Sequence, residues 1–327
     1  MMQLQTTTAQ RSILSPIFNS EPTGVEAAFR GAGVDWDPAV ETMYRKNGQP
    51  VETGQLITFG PGGRELRAVG PDFVPFSNTD HMRVADEFAT QAGLECRSVT
   101  TFKNGRSVAV VLADRENEFQ PTGSAHVMTP SLLLLNAHDG SGSLRAILAY
   151  FNLLSCLNML PGLIRNNLGS LTRKHTAQMR RVDDMSLQIG RTVKAARVNL
   201  IAERESLNVL SSTAMSLQQF REFALTLLME SETVEDAKAK AVKLEGRSRT
   251  RLISNGKALV SCFTSGIGNH GETRLDALNA VTEYVDHHRS RSPQWRARAA
   301  RNGIDMGGAW LGAGAERKRR AVALLAA

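Results

Sequence analysis

The sequence predicts an α+β protein, with a mostly antiparallel, hairpin-built sheet followed by a helical C-terminal half. Three observations carry this. Pairs of short apolar runs joined by Gly-rich, Asn-Gly or Asp-Gly turns fill the region from Leu56 to Tyr150. After Pro161-Gly162 the composition shifts to helix formers, and apolar residues recur at steps of three and four. The chain of 327 residues, 42% of them hydrophobic, is long enough to bury a sizeable core. Residues 1–50 therefore read as a partly ordered lead-in, 51–160 as the sheet domain, 161–288 as a helical region packed on the sheet, and 289–327 as a basic C-terminal segment.

In the lead-in, Gly24 to Arg30 suits a short helix. Asp35-Trp36-Asp37-Pro38 opens a second over Ala39 to Tyr44, since proline fits a first helical turn. Leu56 to Phe59 and Glu65 to Val69 form a hairpin about Gly60-Pro61-Gly62-Gly63. No Lys-Ser/Thr follows these glycines and the next segment is a strand, so they read as a turn and not as a phosphate loop. Ser77-Asn78-Thr79-Asp80 caps a helix reaching Ala92, which Gly93 stops. Leu94 to Thr101 and Arg106 to Ala113 pair across Asn104-Gly105, and the continuously apolar Val108 to Leu112 marks a central strand. The third hairpin joins Leu132 to Leu135 and Leu144 to Tyr150 through Asp139-Gly140-Ser141-Gly142. Six strands thus come as three hairpins of one sheet, with a helix inserted after the first pair.

From Thr176 to Leu210, residues Met179, Val182, Ile189, Val193, Ala196, Leu200, Leu207 and Leu210 form a seam that packs on one neighbour. Ser186, Gly190 and Glu203 weaken it. Ser216-Leu217-Gln218-Gln219 is a capping box for a helix ending near Glu230. Thr233-Val234-Glu235-Asp236 starts another that reaches Arg251, and Asn255-Gly256 breaks the next connection.

The net charge is +7, but residues 1–130 hold 11 Lys/Arg against 15 Asp/Glu, which leaves +11 for residues 131–327. That asymmetry points to a phosphate-rich partner. Between Arg165 and Arg204 nine Lys/Arg, among them Arg173, Lys174, Arg180, Arg181, Arg191, Lys194 and Arg197, face three acids. Arg173, Arg180 and Lys194 lie at multiples of seven and share one side of a helix that is continuous through them. Between Arg289 and Arg320 nine more, including Arg289, Arg291, Arg296, Arg298 and the run Arg317-Lys318-Arg319-Arg320, face two acids. Trp295 is interleaved, so cations can meet phosphates while an indole stacks a base of a single strand. The plainer reading leaves both stretches as solvated faces, with Trp310 and the leucines of Ala321 to Leu325 packed down.

Several classes are excluded. The sequence has no P-loop, dinucleotide fingerprint, nucleophile elbow or Cys-x-x-Cys pair. Cys96, Cys156 and Cys262 are too scattered for a disulfide framework or a zinc knuckle, the N-terminus lacks a secretory pattern, and the cytoplasm is expected. Arg145, Asn152, Ser155, Asn158 and Pro161 interrupt the apolar stretch from Leu144 to Ile164, so no membrane partner is expected. Two places offer chemistry. His138-Asp139 beside Gly140-Ser141-Gly142-Ser143 supplies a base, an acid and hydroxyls for hydrolysis, although an Asp-Gly turn alone accounts for these residues. Glu283 and His287 lie one turn apart on a helix with Asp286 and His288 nearby, and Glu283, Asp286 and His287 would serve Mg2+ or another divalent ion, although the His-Glu-x-x-His spacing is missing. The alternative there has Leu278, Val281 and Val285 facing the core and the histidines at a helix C-terminus. Outside the hydrolase reading no cofactor is predicted.

The segment Leu133 to Arg145, with Leu154 to Asn158, Gly271-Glu272-Thr273 and Leu278 to His287, resembles the phage/plasmid-like protein family. That family is defined by a domain of unknown function, number nine-three-two. The positions that carry the resemblance are Asn136, His138, Asp139, Gly140, Ser141, Asn279, Thr282, Glu283, Tyr284, Asp286 and His287. The chain departs at Leu275-Asp276, where the family carries Trp-Gly. The resemblance implies a phage, prophage or plasmid origin in a bacterial cell, and it brings neither catalytic residues nor a cofactor. A hairpin-rich sheet followed by basic helices is also similar in plan to phage single-strand annealing recombinases of the RecT and Red-beta kind. The leading expectation is a non-catalytic DNA-binding protein, oligomeric, that binds or anneals single strands in recombination. Its rivals are a metal-dependent nuclease or hydrolase using His138 and Asp139, and an oligomeric protein-interaction module.

Overall fold

The computed structural model describes residues 24–102, 105–124, 127–152, 158–161, 171–175, 191, 201–266, 269–288 and 313–326. Antiparallel sheets build the N-terminal half and helices the C-terminal half, an α+β arrangement.

Helix α1 (Val25–Gly31) turns Val25 and Phe29 inward. Strand β1 (Ala39–Thr42) follows it, in place of the helix expected after Pro38. The β-branched Val40 and Thr42 suit a strand, and pairing with β2 (Leu56–Phe59) in the register Ala39↔Phe59 overrides the proline signal. β3 (Glu65–Val69) completes a three-stranded sheet of order β1-β2-β3. The first hairpin therefore belongs to a sheet of its own. Its turn needs glycine, because Gly62 and Gly63 both take positive φ, 66° and 72°. Helix α2 (Asn78–Ala92) starts where the Ser77 hydroxyl accepts from the Asp80 N–H and stops at Gly93 in the left-handed region.

The main sheet runs β4 (Glu95–Phe102), β5 (Ser107–Ala113), β6 (Met128–Ala137), β7 (Leu144–Asn152), β8 (Asn158–Pro161), and β9 (Leu171–Arg173) also pairs with β7. β8 closes the expected sheet segment, and β9 continues the sheet into the region where helix was expected. β8 lies along Ala149 to Asn152 and β9 along Leu144 to Ala146, so the two short strands cover parts of one edge of β7.

Side-chain alternation explains why β5 and β6 are apolar throughout. Val108, Val110, Leu112, Leu132 and Leu134 join Phe29, Val84 and Phe88 of α1 and α2 on one face. Ala109, Val111, Leu133 and Leu135 join the C-terminal helices on the other. A strand with both faces covered shows no polar alternation.

The helical layer comprises α3, described over 201–212, α4 (Leu217–Leu228), α5 (Val234–Val242), α6 (Gly246–Ser265), α7 (Arg274–Glu283), a π-helical turn Tyr284–His288, and α8 (Ala313–Ala326). Ser216 and Gln219 form the predicted capping box, and Thr233 caps α5. The helix expected from Thr233 to Arg251 instead ends at Val242, and a new one begins at Gly246. Asn255-Gly256 lies inside α6 and does not break it. An interior glycine costs a helix about 1 kcal/mol. Here the buried Leu259, Cys262 and Phe263 at the far end of α6 outweigh that cost, and Phe263 stacks on Phe220 of α4 with centroids 4.1 Å apart. α8 closes the layer: Ala321 and Leu325 are buried, and Arg274 Nη1 donates to the Leu325 carbonyl. Among the described residues no helix is long and apolar enough to cross a membrane.

Phe263→Ala removes the stacked ring from the centre of the helical layer, and its expected cost is about 3–5 kcal/mol in urea unfolding.

Candidate functional site

The turn that ends β6 is a point of convergence. Asn136 Nδ2 donates to the Phe76 carbonyl at 2.9 Å, His138 Nε2 meets Asn78 Oδ1 at 2.9 Å, and Asn78 Nδ2 donates to the Trp36 carbonyl at 2.6 Å. His138 also meets Trp36 edge-on, ring centroids 5.3 Å apart. Asp139 Oδ1 accepts the Ser141 N–H, so the acid is engaged in its own turn. Gly140 has φ 66°, and a Cβ there would meet Val69 Cγ1 at 3.2 Å. These residues fasten the main sheet to α2 and to the small sheet. His138 is fully buried, so the ring faces no solvent. Trp36, Asn78, His81 and His175 come to this centre from distant parts of the chain, and no local motif announced them.

Burial keeps the three histidines neutral. It lowers His81 to about 3, with His138 nearby adding to the effect. His138 is lowered to about 4, first by burial and then by His175, against opposition from Asp139 and Asp37. His175 is lowered by burial as well, against its bond to the Val74 carbonyl and the charge of Asp139.

The second motif segment is also interior. Thr282 Oγ1 donates to the Asn279 carbonyl, and Tyr284 is part of the core. Asp286 accepts two bonds from Lys318 Nζ, at 2.7 and 2.8 Å, with both side chains fully buried. This corrects two expectations. Lys318 is not a surface cation for DNA, and Asp286 is not free to bind a metal. Burial pulls the Lys318 pKa down and Asp286 opposes it. Of the remaining run, Arg320 donates to the Ser231 carbonyl, Arg317 lies 3.8 Å from Glu230, and Arg319 is exposed beside Glu316. Leu275 and Asp276, standing where the resemblance predicts Trp-Gly, have structural roles: Leu275 is buried, and Asp276 accepts the backbone N–H groups of Glu272 and Thr273.

Glu283 finds one neighbour that the sequence suggested, His288, and one that it did not, Cys262. Its Oε1 lies 3.3 Å from His288 Nε2, and ligand atoms of Cys262, Glu283 and His288 lie within 4.8 Å of one another. Burial, with the Glu283 carboxylate next to it, pushes the Cys262 thiol up to about 12. The side chain of His287 lies outside the described residues.

Arg173 ends strand β9, so it does not share a helix with Arg180 and Lys194, and the spacing of seven is accidental there. Lys174 and Arg191 are exposed. Arg180, Arg181, Lys194, Arg197, Arg289, Arg291, Trp295, Arg296 and Arg298 lie outside the described residues. A third basic region escaped the sequence reading: residues 238–257 hold seven Lys/Arg against one acid. Counting charge in a 20-residue window would have found it. Arg247, Arg249, Arg251 and Lys257 lie on the N-terminal part of α6, all exposed, and the residues that anchor α6 are Leu259, Cys262 and Phe263 at its other end. Among the described residues these four cations form no ion pair, whereas Lys238 pairs with Glu222 and Lys240 with Asp236. Val242 is exposed at the end of α5, and Ile253 is exposed on α6.

A family model described as Domain of unknown function (DUF932) matches residues 65–305. The chain belongs to the DUF932 family. The matched span includes the Asn136–Ser141 turn, the Asn279–His287 segment and the whole basic arm. No curated protein and no solved structure matches the chain.

In this DUF932 protein the two motif segments therefore set testable limits on stability. His81 and His138 bind protons in the unfolded chain near 6.5 but not in the fold until about 3 and about 4, so their contribution is full above 6.5 and is lost as pH falls toward 4. Each should tilt stability by roughly 1.4 kcal/mol per pH unit in that window. Urea unfolding at pH 7, 6 and 5 checks the tilt, and His81→Leu should remove about one histidine's share. Lys318→Ala takes the Lys318 ammonium away from the buried Asp286 carboxylate, at an expected cost of about 3–5 kcal/mol in the same assay. The apolar pair Asp286→Leu/Lys318→Met should recover most of that loss.

Proposed function

We propose that this DUF932 protein binds the DNA backbone without catalysing a reaction on it, and that α6 is the arm that does so. The supporting observation is the arm itself. Four exposed cations that form no ion pair among the described residues project from a helix whose other end is anchored in the core. At roughly 100° per residue, Arg247 and Arg251 lie on one side of α6 and Arg249 on the other, so phosphates can be met from two directions. Such cations release counterions when they meet phosphates, which drives binding without sequence preference. Exposed Lys174 and Arg191 are further cations for such a backbone. Single-strand binding or annealing in phage or plasmid recombination, in the bacterial cytoplasm, is the role that fits this chemistry together with the family. The sealed ring of His138 does not favour a hydrolase at that turn.

A second reading is favoured by one observation, the exposure of Val242 (84%) at the end of α5 and of Ile253 (49%) on α6. Two uncovered apolar side chains suit a protein partner or a second copy, and association through them would be insensitive to salt.

The test is a salt titration of single-stranded DNA binding. Arg247→Ala/Arg249→Ala/Arg251→Ala should reduce the slope of log affinity against log salt by roughly 2, since each phosphate contact on a single strand contributes about 0.7. An unchanged slope removes the arm from the interface. Loss of salt-insensitive self-association in Val242→Asp, measured by light scattering, would support the second reading.

A further inference from the structure

We propose that Cys262, Glu283 and His288 form a binding site for a divalent ion of the zinc class. The site is separate from the basic surface of the arm and stands whether or not the arm binds DNA.

Three elements supply the donors. Cys262 lies in the last turn of α6, Glu283 ends α7, and His288 ends the π-helical turn. The π turn matters because its i→i+5 pattern brings His288 back to Glu283, five residues earlier, where a regular α-helix would swing it away. Their ligand atoms already lie within 4.8 Å of one another. One further feature points to a missing ligand. Glu283 Oε2 is buried and has no hydrogen-bond partner among the described residues. Gly266 lets that carboxylate pack against the end of α6, since a Cβ there would clash with the Cys262 carbonyl and with that oxygen. Asn269 steadies the surrounding backbone by donating to the carbonyls of Cys262 and Asp276.

The donor set selects the ion. A thiolate favours zinc over magnesium or calcium, which take all-oxygen shells, and imidazole and carboxylate complete a borderline set. Thiolate and carboxylate together neutralise a dication, so the occupied site carries no net buried charge. Coordination replaces the Cys262 S–H bond by a metal–sulfur bond and releases the proton to solvent, with no redox change. His288, its side chain 43% exposed, gives the ion a route in and leaves a fourth position toward water. The bound ion would tie α6, which carries the arm, to α7.

The experiment uses the full-length chain without an affinity tag, stripped with a chelator and titrated with Co2+ and then Zn2+. One equivalent of Co2+ should give a thiolate-to-cobalt charge-transfer band that Zn2+ abolishes and Cys262→Ser lacks. Zn2+ should also raise the Tm. His288→Ala, at an exposed position that spares the fold, should weaken Zn2+ by about tenfold or more, since even outer-sphere partners of a metal are worth that much. The proposal is overturned by absence of stoichiometric binding, by a band that survives in Cys262→Ser, or by unchanged Zn2+ affinity in His288→Ala. Should Cys262→Ser fail to fold, the His288→Ala affinity decides.

Discussion

Everything in this fold depends on β5 and β6 being buried on both faces. Val108 to Ala113 and Leu132 to Leu135 present apolar side chains to both sides of the sheet, and each fully buried valine or leucine is worth roughly 1.5–3 kcal/mol only when something covers it. The N-terminal helices cover one face and the C-terminal helices the other. Neither half of the chain is therefore optional, although sequence composition makes them look like separate domains. The Asn136–Ser141 turn and the Lys318–Asp286 pair are the polar fastenings of this sandwich. The first anchors the N-terminal side and the second the last helix.

Local signals were legible wherever the chain itself determines the structure. The hairpin of β2 and β3, the cap at Ser77, the stop at Gly93 and the capping box at Ser216 all appear at the residues expected from Gly φ freedom and side-chain capping. Expectations failed where a distant partner decides. Pro38 suits a helix start, yet β2 offers Ala39–Thr42 an edge to pair with. Gly256 suits a break, yet the stacked Phe220 and Phe263 hold α6 through it. Arg173 suited a helical stripe by spacing alone, and β7 takes it as a strand.

The candidate sites divide in the same way. His138 and Asp139 were visible as a motif, but their role comes from Asn78 and Trp36, which lie some 60 to 100 residues earlier and become neighbours only in the fold. Cys262 was dismissed as a lone cysteine, because nothing in its spacing foretells the π turn that brings His288 beside Glu283. Charge gave the opposite difficulty. A run such as Arg317 to Arg320 looks uniform in sequence, yet Lys318 is the most buried of the four and Arg319 the most exposed. Among the described residues, Arg247, Arg249, Arg251 and Lys257 stand exposed and outside ion pairs on α6, where the helix leaves the core.

The proposed role of this DUF932 protein, DNA-backbone binding, rests on the exposed basic arm that the two-sided sheet scaffold carries. Fluorescence anisotropy of a labelled single strand and its matching duplex, titrated with the full chain at several salt concentrations with and without magnesium, tests it most directly. The account predicts binding that weakens linearly in log–log salt plots, a preference for the single strand, and no loss of intact DNA when magnesium is present. Absence of binding to either DNA at low salt, or a signal that decays only with magnesium, would contradict it.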